Sequence, residues 1–239
     1  MRTHKPNEDD VIMRSQDIIK TFLSRKVKYP KTPEALRESF PSELADLKSL
    51  VEPTRSFAIQ SHGTQKYGNY PYVAHLDDTL YLAFLFGVNN IELLKATLLH
   101  DVIEDTLEDE SSVSMHFGEN VSKIVDGVSN NPELPREIQT QELNKKLSAL
   151  DLRNEISIFI VILKVADRVA NITRVSSAKK PMLRLARRYH DEAMDFRASV
   201  IRGDKSQINE EHITVHSLAL ATLDLSIEML SQLLVVEHG

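Results

Sequence analysis

The chain has 239 residues, 41% of them hydrophobic, which is enough to bury a sizeable core; seven glycines and 6% aromatics are low for an all-β protein. It has no cysteine, which excludes disulfides and thiolate metal sites and fits a reducing compartment. The net charge of −6 is uneven: residues 164–202 carry ten basic and four acidic side chains, residues 89–119 one basic and eight acidic, a pattern able to hold an anion beside a cation.

Residues 1–15 are polar and charged, without the apolar core of a secretory signal. The longest strongly apolar run, 158–163, is far too short to span a bilayer, so a soluble cytoplasmic protein with no membrane or nucleic-acid partner is expected. A polar head over 1–8 leads into a helix over 9–26, which Pro30 and Pro33 end. Thr32-Pro33-Glu34 reads as an N-cap followed by proline at the first helical position of a short helix reaching 39. Pro41-Ser42 opens another to about 50, and Pro53 precedes a helix to 62. Residues 63–71 hold two glycines and a proline and read as an irregular loop near a site. Helices then follow at 73–86, 90–105, 109–117, 119–127, 136–151, 154–174, 180–202 and 207–236, and Gly203-Asp204 marks a boundary.

No period-two alternation or internal repeat interrupts this order. The reading is an all-α chain: a domain over 51–202, a helical N-terminal extension over 1–50 and a helical C-terminal extension over 203–239. The last helix, with Leu218, Leu220, Leu223, Leu225, Met229 and Leu233, has the surface either to pack on the domain or to form a homo-oligomer contact.

Two of these helices carry polar residues where apolar ones belong. On 154–174, Ile156, Phe159, Ile160, Leu163 and Val169 make a broad apolar surface, and Asp167 sits among them with Asn171 one turn on. A buried carboxylate needs neutralising, by Arg168 or by a metal ion. On 90–105, His100 stacks with Glu104 and Asp101 with Asp105, the second pair of carboxylates about 5.4 Å along the axis. Three carboxylates in six residues repel one another unless a cation is near, and imidazole with carboxylate suits Mn²⁺, Fe²⁺ or Zn²⁺. A second dipeptide, His190-Asp191, falls on a mixed helix among Arg187, Arg188 and Tyr189 and reads as packing or surface.

Four strings occur in order: P-Y-V-A-H (71–75), L-L-H-D-V-I-E-D-T (98–106), F-G-E-N-V-S-K-I-V-D-G-V-S (117–129) and K-V-A-D-R-V-A-N (164–171). Together they resemble the HD-type hydrolase domain of RelA/SpoT-type alarmone enzymes and the free-standing small alarmone hydrolases, over about residues 53–200. The resemblance implies an HD-domain helical bundle with one Mn²⁺, or another divalent transition metal, and hydrolysis of the 3′-pyrophosphate of (p)ppGpp to GDP or GTP plus pyrophosphate. By motif, His75, His100, Asp101 and Asp167 would bind the metal, Glu104 and Asp105 would manage the attacking water, and Asn171 would contact the nucleotide.

Lys66 and Tyr67 stand where the family usually carries adjacent basic residues, so Lys66 remains for the substrate while Tyr67 offers a ring to stack on a base. Arg168 would either contact substrate or hold the fold through a carboxylate. Lys179, Lys180, Arg184 and Arg188 are sources for the missing positive charge, and Ala170 replaces a common histidine that is not a ligand. His62, His116 and Tyr72 read as structural. Too few residues follow 202 for a synthetase-type domain. A related hydrolase of another nucleotide, and a nucleotide-binding module without catalysis, are the alternatives.

Overall fold

The computed structural model describes residues 7–25, 28–30, 32–178, 182–201 and 208–236. Twelve helices follow one another among these residues: α1 (Glu8–Leu23), α2 (Pro33–Glu38), α3 (Lys48–His62), α4 (Val73–Leu85), α5 (Ile91–Leu99), α6 (Val102–Asp105), α7 (Glu110–Phe117), α8 (Glu119–Val128), α9 (Arg136–Ser148), α10 (Glu155–Ser176), α11 (Leu183–Ile201) and α12 (Glu210–Val236). The all-α expectation holds, with one addition. The loop read as irregular contains a hairpin, β1 (Lys66–Tyr67) paired antiparallel with β2 (Tyr70–Pro71), in the register Lys66↔Pro71 and Tyr67↔Tyr70. Gly68, at φ 61°, takes the left-handed turn that so short a connection requires.

Polar residues start the helices as their chemistry dictates. The side chains of Asn7, Thr32, Asn90, Asp109 and Asn154 each accept a backbone N–H in the first turn of the helix they precede. Pro53 does not precede a helix. A 3₁₀ helix over Ser42–Leu47 runs straight into α3, and Pro53 is its sixth residue, where it forfeits one backbone hydrogen bond. The Gly203-Asp204 boundary and Lys179 and Lys180 lie outside the described residues.

The core is built around α10. Every residue from Ile158 to Ala170 is buried, and the helix packs against α4, α5, α8, α11 and α12. Gly127 on α8 lets α10 approach closely: a Cβ there would lie 2.4 Å from Ile160 Cδ1. Arg55 on α3 is fully buried and joins α2, α3 and α4, with a two-pronged pair to Asp77 at 2.8 and 2.9 Å and bonds to the carbonyls of Leu36 and Ser39.

The outer helices join the same core. Ile18, Ile19 and Phe22 of α1, and Leu218, Leu220, Leu223 and Leu230 of α12, belong to one continuous apolar cluster with α4, α5 and α10. Helix α12 is long and apolar enough, by length and composition, to cross a membrane, although polar residues interrupt its apolar runs. Its buried face is turned into the protein against α1, α10 and α11.

Candidate metal centre and active site

Three segments deliver the site. His75 is the third residue of α4 and is placed by the hairpin and Tyr72 immediately before it. Asp167 lies in the buried middle of α10. His100 and Asp101 sit at a break between helices: α5 ends at Leu99, Asp101 takes φ −103° and ψ 0°, and α6 starts at Val102. The single helix expected over 90–105 is therefore two, α5 and α6, with His100 and Asp101 at the joint. The apolar pattern Leu98, Leu99, Val102, Ile103 runs unbroken through the joint, so periodicity carries no mark of it.

The break turns both polar side chains of the joint towards α4 and α10. His75 Nε2 and His100 Nε2 lie 3.2 Å apart. Asp167 Oδ1 is 3.2 Å from the first and 3.8 Å from the second, and Asp101 Oδ2 is 3.5 and 3.1 Å from them. Ligand atoms of His75, His100 and Asp167 all fall within 4.8 Å of one another, in a buried position.

The electrostatics favour positive charge at this point. Burial alone would raise Asp101, but His100 and His75 hold it below the usual carboxylate range. Burial would likewise raise Asp167, but Lys164 and His75 hold it well below. Burial would lower His100, yet Asp101 and Asp167 keep it up at about 9. The Thr97 carbonyl, 2.8 Å from His100 Nδ1, takes that nitrogen's proton and leaves the Nε2 lone pair aimed at the cluster in the neutral ring. Two imidazole nitrogens and two carboxylate oxygens crowded on one centre are a donor set that a divalent transition metal fits.

Asp167 has a second partner that the sequence reading missed. Lys164, buried one turn earlier, places Nζ 3.0 Å from Asp167 Oδ2. Arg168, the neutralising cation expected besides a metal, turns the other way and pairs with Glu192 at 2.8 Å. The three-residue spacing of Lys164 and Asp167 was the available signal.

Glu104 and Asp105 follow on α6, Glu104 held by Asn130 and Asp105 by Gln65 and Tyr72. Glu104 Oε2 accepts from the Asn130 backbone N–H at 3.0 Å and from its side-chain amide at 2.8 Å. Asp105 accepts from Gln65 at 2.9 Å, and Gln65 in turn bonds His62 Nδ1 at 2.7 Å. His62 stacks on Tyr72 with ring centres 4.3 Å apart, and the Tyr72 hydroxyl donates to Asp101 at 2.7 Å. Asn130, Gln65 and Tyr72 thus touch the carboxylates directly. Tyr72 lies in the P-Y-V-A-H string beside His75, whereas nothing in sequence spacing marks Asn130.

Tyr67 and Asn171 reach the cluster from the hairpin and α10. Tyr67 stacks on His75 at 4.7 Å and 12°, and its hydroxyl, raised well above its usual value by burial, donates to Asn171. The Asn171 amide donates to Asp167 Oδ1 at 2.6 Å. Lys66 is exposed on the same hairpin. Arg184 and Arg188 line a groove between α9 and α11 with Arg136, whose charge Glu104 feels. His190 bonds Ser231, tying α11 to α12 away from the cluster, and His116 bonds its own helix carbonyl at Ser112.

A family profile described as the HD domain matches residues 54–198. The chain is 33% identical over 144 residues to the guanosine-3′,5′-bis(diphosphate) 3′-pyrophosphohydrolase of Aquifex aeolicus, covering 58% of this chain and 19% of that protein. It is 27% identical over 128 residues to the guanosine-3′,5′-bis(diphosphate) 3′-pyrophosphohydrolase MESH1 of Xenopus tropicalis, covering 52% of this chain and 68% of that one. The match thus spans about a fifth of the bacterial relative's length. Among solved structures, a metazoan ortholog of SpoT described as hydrolysing ppGpp superposes with a TM-score of 0.57 at 18% identity, covering 82% of this chain and 97% of that one, which supports the fold.

Proposed function

Because this chain belongs to the HD domain family, we propose that it is a metal-dependent phosphohydrolase that removes the 3′-pyrophosphate of guanosine 3′,5′-bis(diphosphate)-type alarmones. Its products would be pyrophosphate and GDP or GTP. The observation that carries the reading is the convergence of His75, His100, Asp101 and Asp167 from three separate segments on one buried centre. The names of the bacterial and amphibian relatives point to the substrate.

In this reading those four side chains hold Mn²⁺ or a similar divalent ion. Such an ion supplies Lewis-acid polarisation of a phosphoryl oxygen and acidifies nearby water. Glu104 has one carboxylate oxygen engaged by Asn130, which leaves the other to take a proton from the attacking water. Asp105, steadied by Gln65, orients that water. Asn171 and Tyr67 border the centre, and with the exposed Lys66 of the same hairpin they would contact the nucleotide. Arg168, engaged by Glu192, holds α10 to α11, and the groove arginines meet the remaining negative charge. Residues 51–202 carry the chemistry, supported by helical extensions at 1–50 and 203–239. We place the protein in the cytoplasm on its cysteine-free composition.

Pyrophosphate release from ppGpp by the purified protein with Mn²⁺ tests the proposal. A second reading, hydrolysis of a different 3′-pyrophosphorylated nucleotide, is favoured by Tyr67, which adds no charge where a second cation is usual. Turnover of an adenine analogue with none of ppGpp would overturn the guanine assignment. Asp101→Ala is expected to lose metal and activity together, whereas Glu104→Gln keeps the metal, measured by elemental analysis, and loses most of kcat. Wild-type kcat in Glu104→Gln would remove its assigned role.

A further inference from the structure

The hairpin that carries Tyr67 has little support of its own. Each strand has two residues, and a ribbon this short is not stable alone in water. Side chains from elsewhere must hold it. Arg174 on α10 lies with its guanidinium 4.8 Å from the centre of the Tyr67 ring and 5.1 Å from that of Tyr70, the cross-strand partner.

Arg174 is itself fixed from behind. It pairs with Asp78 Oδ2 at 2.5 Å, and the other Asp78 oxygen takes Arg25 Nη1 at 2.6 Å. Arg25 follows α1, pairs with Glu43 at 2.8 Å and lies over the Tyr81 ring at 4.6 Å. The exposure of these side chains rises outward, 7% for Arg25, 12% for Asp78 and 26% for Arg174, so the anchor is the driest member. With Arg25 holding one oxygen, Asp78 can present only the other to Arg174. A second contact reaches the hairpin without this relay: Tyr29 meets Tyr70 edge-on, with ring centres 6.5 Å apart.

We propose that the segment carrying Arg25 and Tyr29 is a positioning element of the site, which through Asp78 and Arg174 keeps Tyr67 flat against the metal ligand His75. Arg174 is then a positioning residue: it acts through Tyr67 and touches no ligand of the cluster. The inference rests on the proposed metal-site reading only for its Mn²⁺ readout. The geometry of the hairpin is independent of the substrate.

Hydrogen–deuterium exchange of the full chain, followed by peptides, tests this in Arg174→Gln, Arg25→Gln and Tyr29→Ala. The control is Arg197→Gln, which breaks an ion pair with Asp224 between α11 and α12. All three test variants are expected to raise exchange over residues 64–72 several-fold and leave peptides from α5 and α8 unchanged, while the control leaves the hairpin untouched. Arg25→Lys, which keeps the charge at Asp78, restores most of the protection. Mn²⁺ alone is expected to bind several-fold more weakly to Arg174→Gln, because His75 loses its stacked neighbour. A hairpin that exchanges at the wild-type rate in Arg25→Gln, or exchange that rises evenly through the chain, would overturn the proposal. Failure of the wild type to cleave ppGpp would overturn the substrate assignment and leave this result standing.

Discussion

Asp167 shows how much one side chain can ask of its surroundings. It is buried in α10, and its two oxygens divide the work: Oδ1 faces the imidazoles and Asn171, Oδ2 faces Lys164. Removing Lys164 strips Asp167 Oδ2 of its cation and leaves the imidazoles and Asn171 on Oδ1, so Lys164→Met is expected to lower stability by about 3 kcal/mol in metal-free protein, measured by urea unfolding. Added Mn²⁺ should recover part of the loss, since a divalent ion neutralises the same group. An unchanged midpoint would show that Asp167 does not depend on Lys164. The need for a partner was legible from a carboxylate set in an apolar helix, but its identity was not. Arg168 is adjacent in sequence and turned about a quarter of a circle round the helix, while Lys164 is one turn away on the same side. The same limit applies to Asn130, whose approach to Glu104 depends on how α8 ends.

At the scale of elements, capping and proline signals placed the start of most helices within a residue or two, because those signals are local. The joint at His100 and the hairpin escaped, because both are set by distant partners. At that joint His100 lies against His75 on α4 and Asp167 on α10, and Asp101 lies against His75. A second long-range device is the clasp in which Glu192 on α11 binds Arg136 from α9 and Arg168 from α10. Burial would raise Glu192, but the two arginines hold it below the usual range of a glutamate carboxyl. A carboxylate depressed in the folded state adds stability above its unfolded value and loses it as the pH falls through the folded one. Between about pH 5 and pH 3, the wild type should therefore lose stability that Glu192→Gln lacks from the start. Urea midpoints at the two ends of that range, compared between the proteins, check this; equal slopes would assign the clasp no energetic role.

For the whole molecule, the four motif strings pointed to the family and to the candidate metal-binding residues, while the outer helices remained unexplained. Their apolar faces resemble those of the central helices, and only packing tells which core they join. Helices α1 and α12 bury Phe22, Leu223 and their neighbours in the same cluster as Leu98 and Leu163. Leu223→Ala is accordingly expected to cost about 2–5 kcal/mol, as much as Leu98→Ala, with a single unfolding transition for both. A separate, earlier transition in Leu223→Ala would show that α12 unfolds independently.

The candidate ligands in the centre are His75, the joint at 100–101 and Asp167, and Tyr67 and Asn171 beside them are 104 positions apart along the chain. An unfolded chain can offer an ion little more than the neighbouring pair His100 and Asp101, because closing the longer loops first costs entropy. The complete binding pocket therefore exists only after the last contacts have formed. In kinetic terms, metal should act on the exit from the native state: stopped-flow measurements should show slower unfolding with Mn²⁺ and an unaltered refolding rate. A chelator would then set how long the protein lasts once folded, and have no bearing on how fast it gets there.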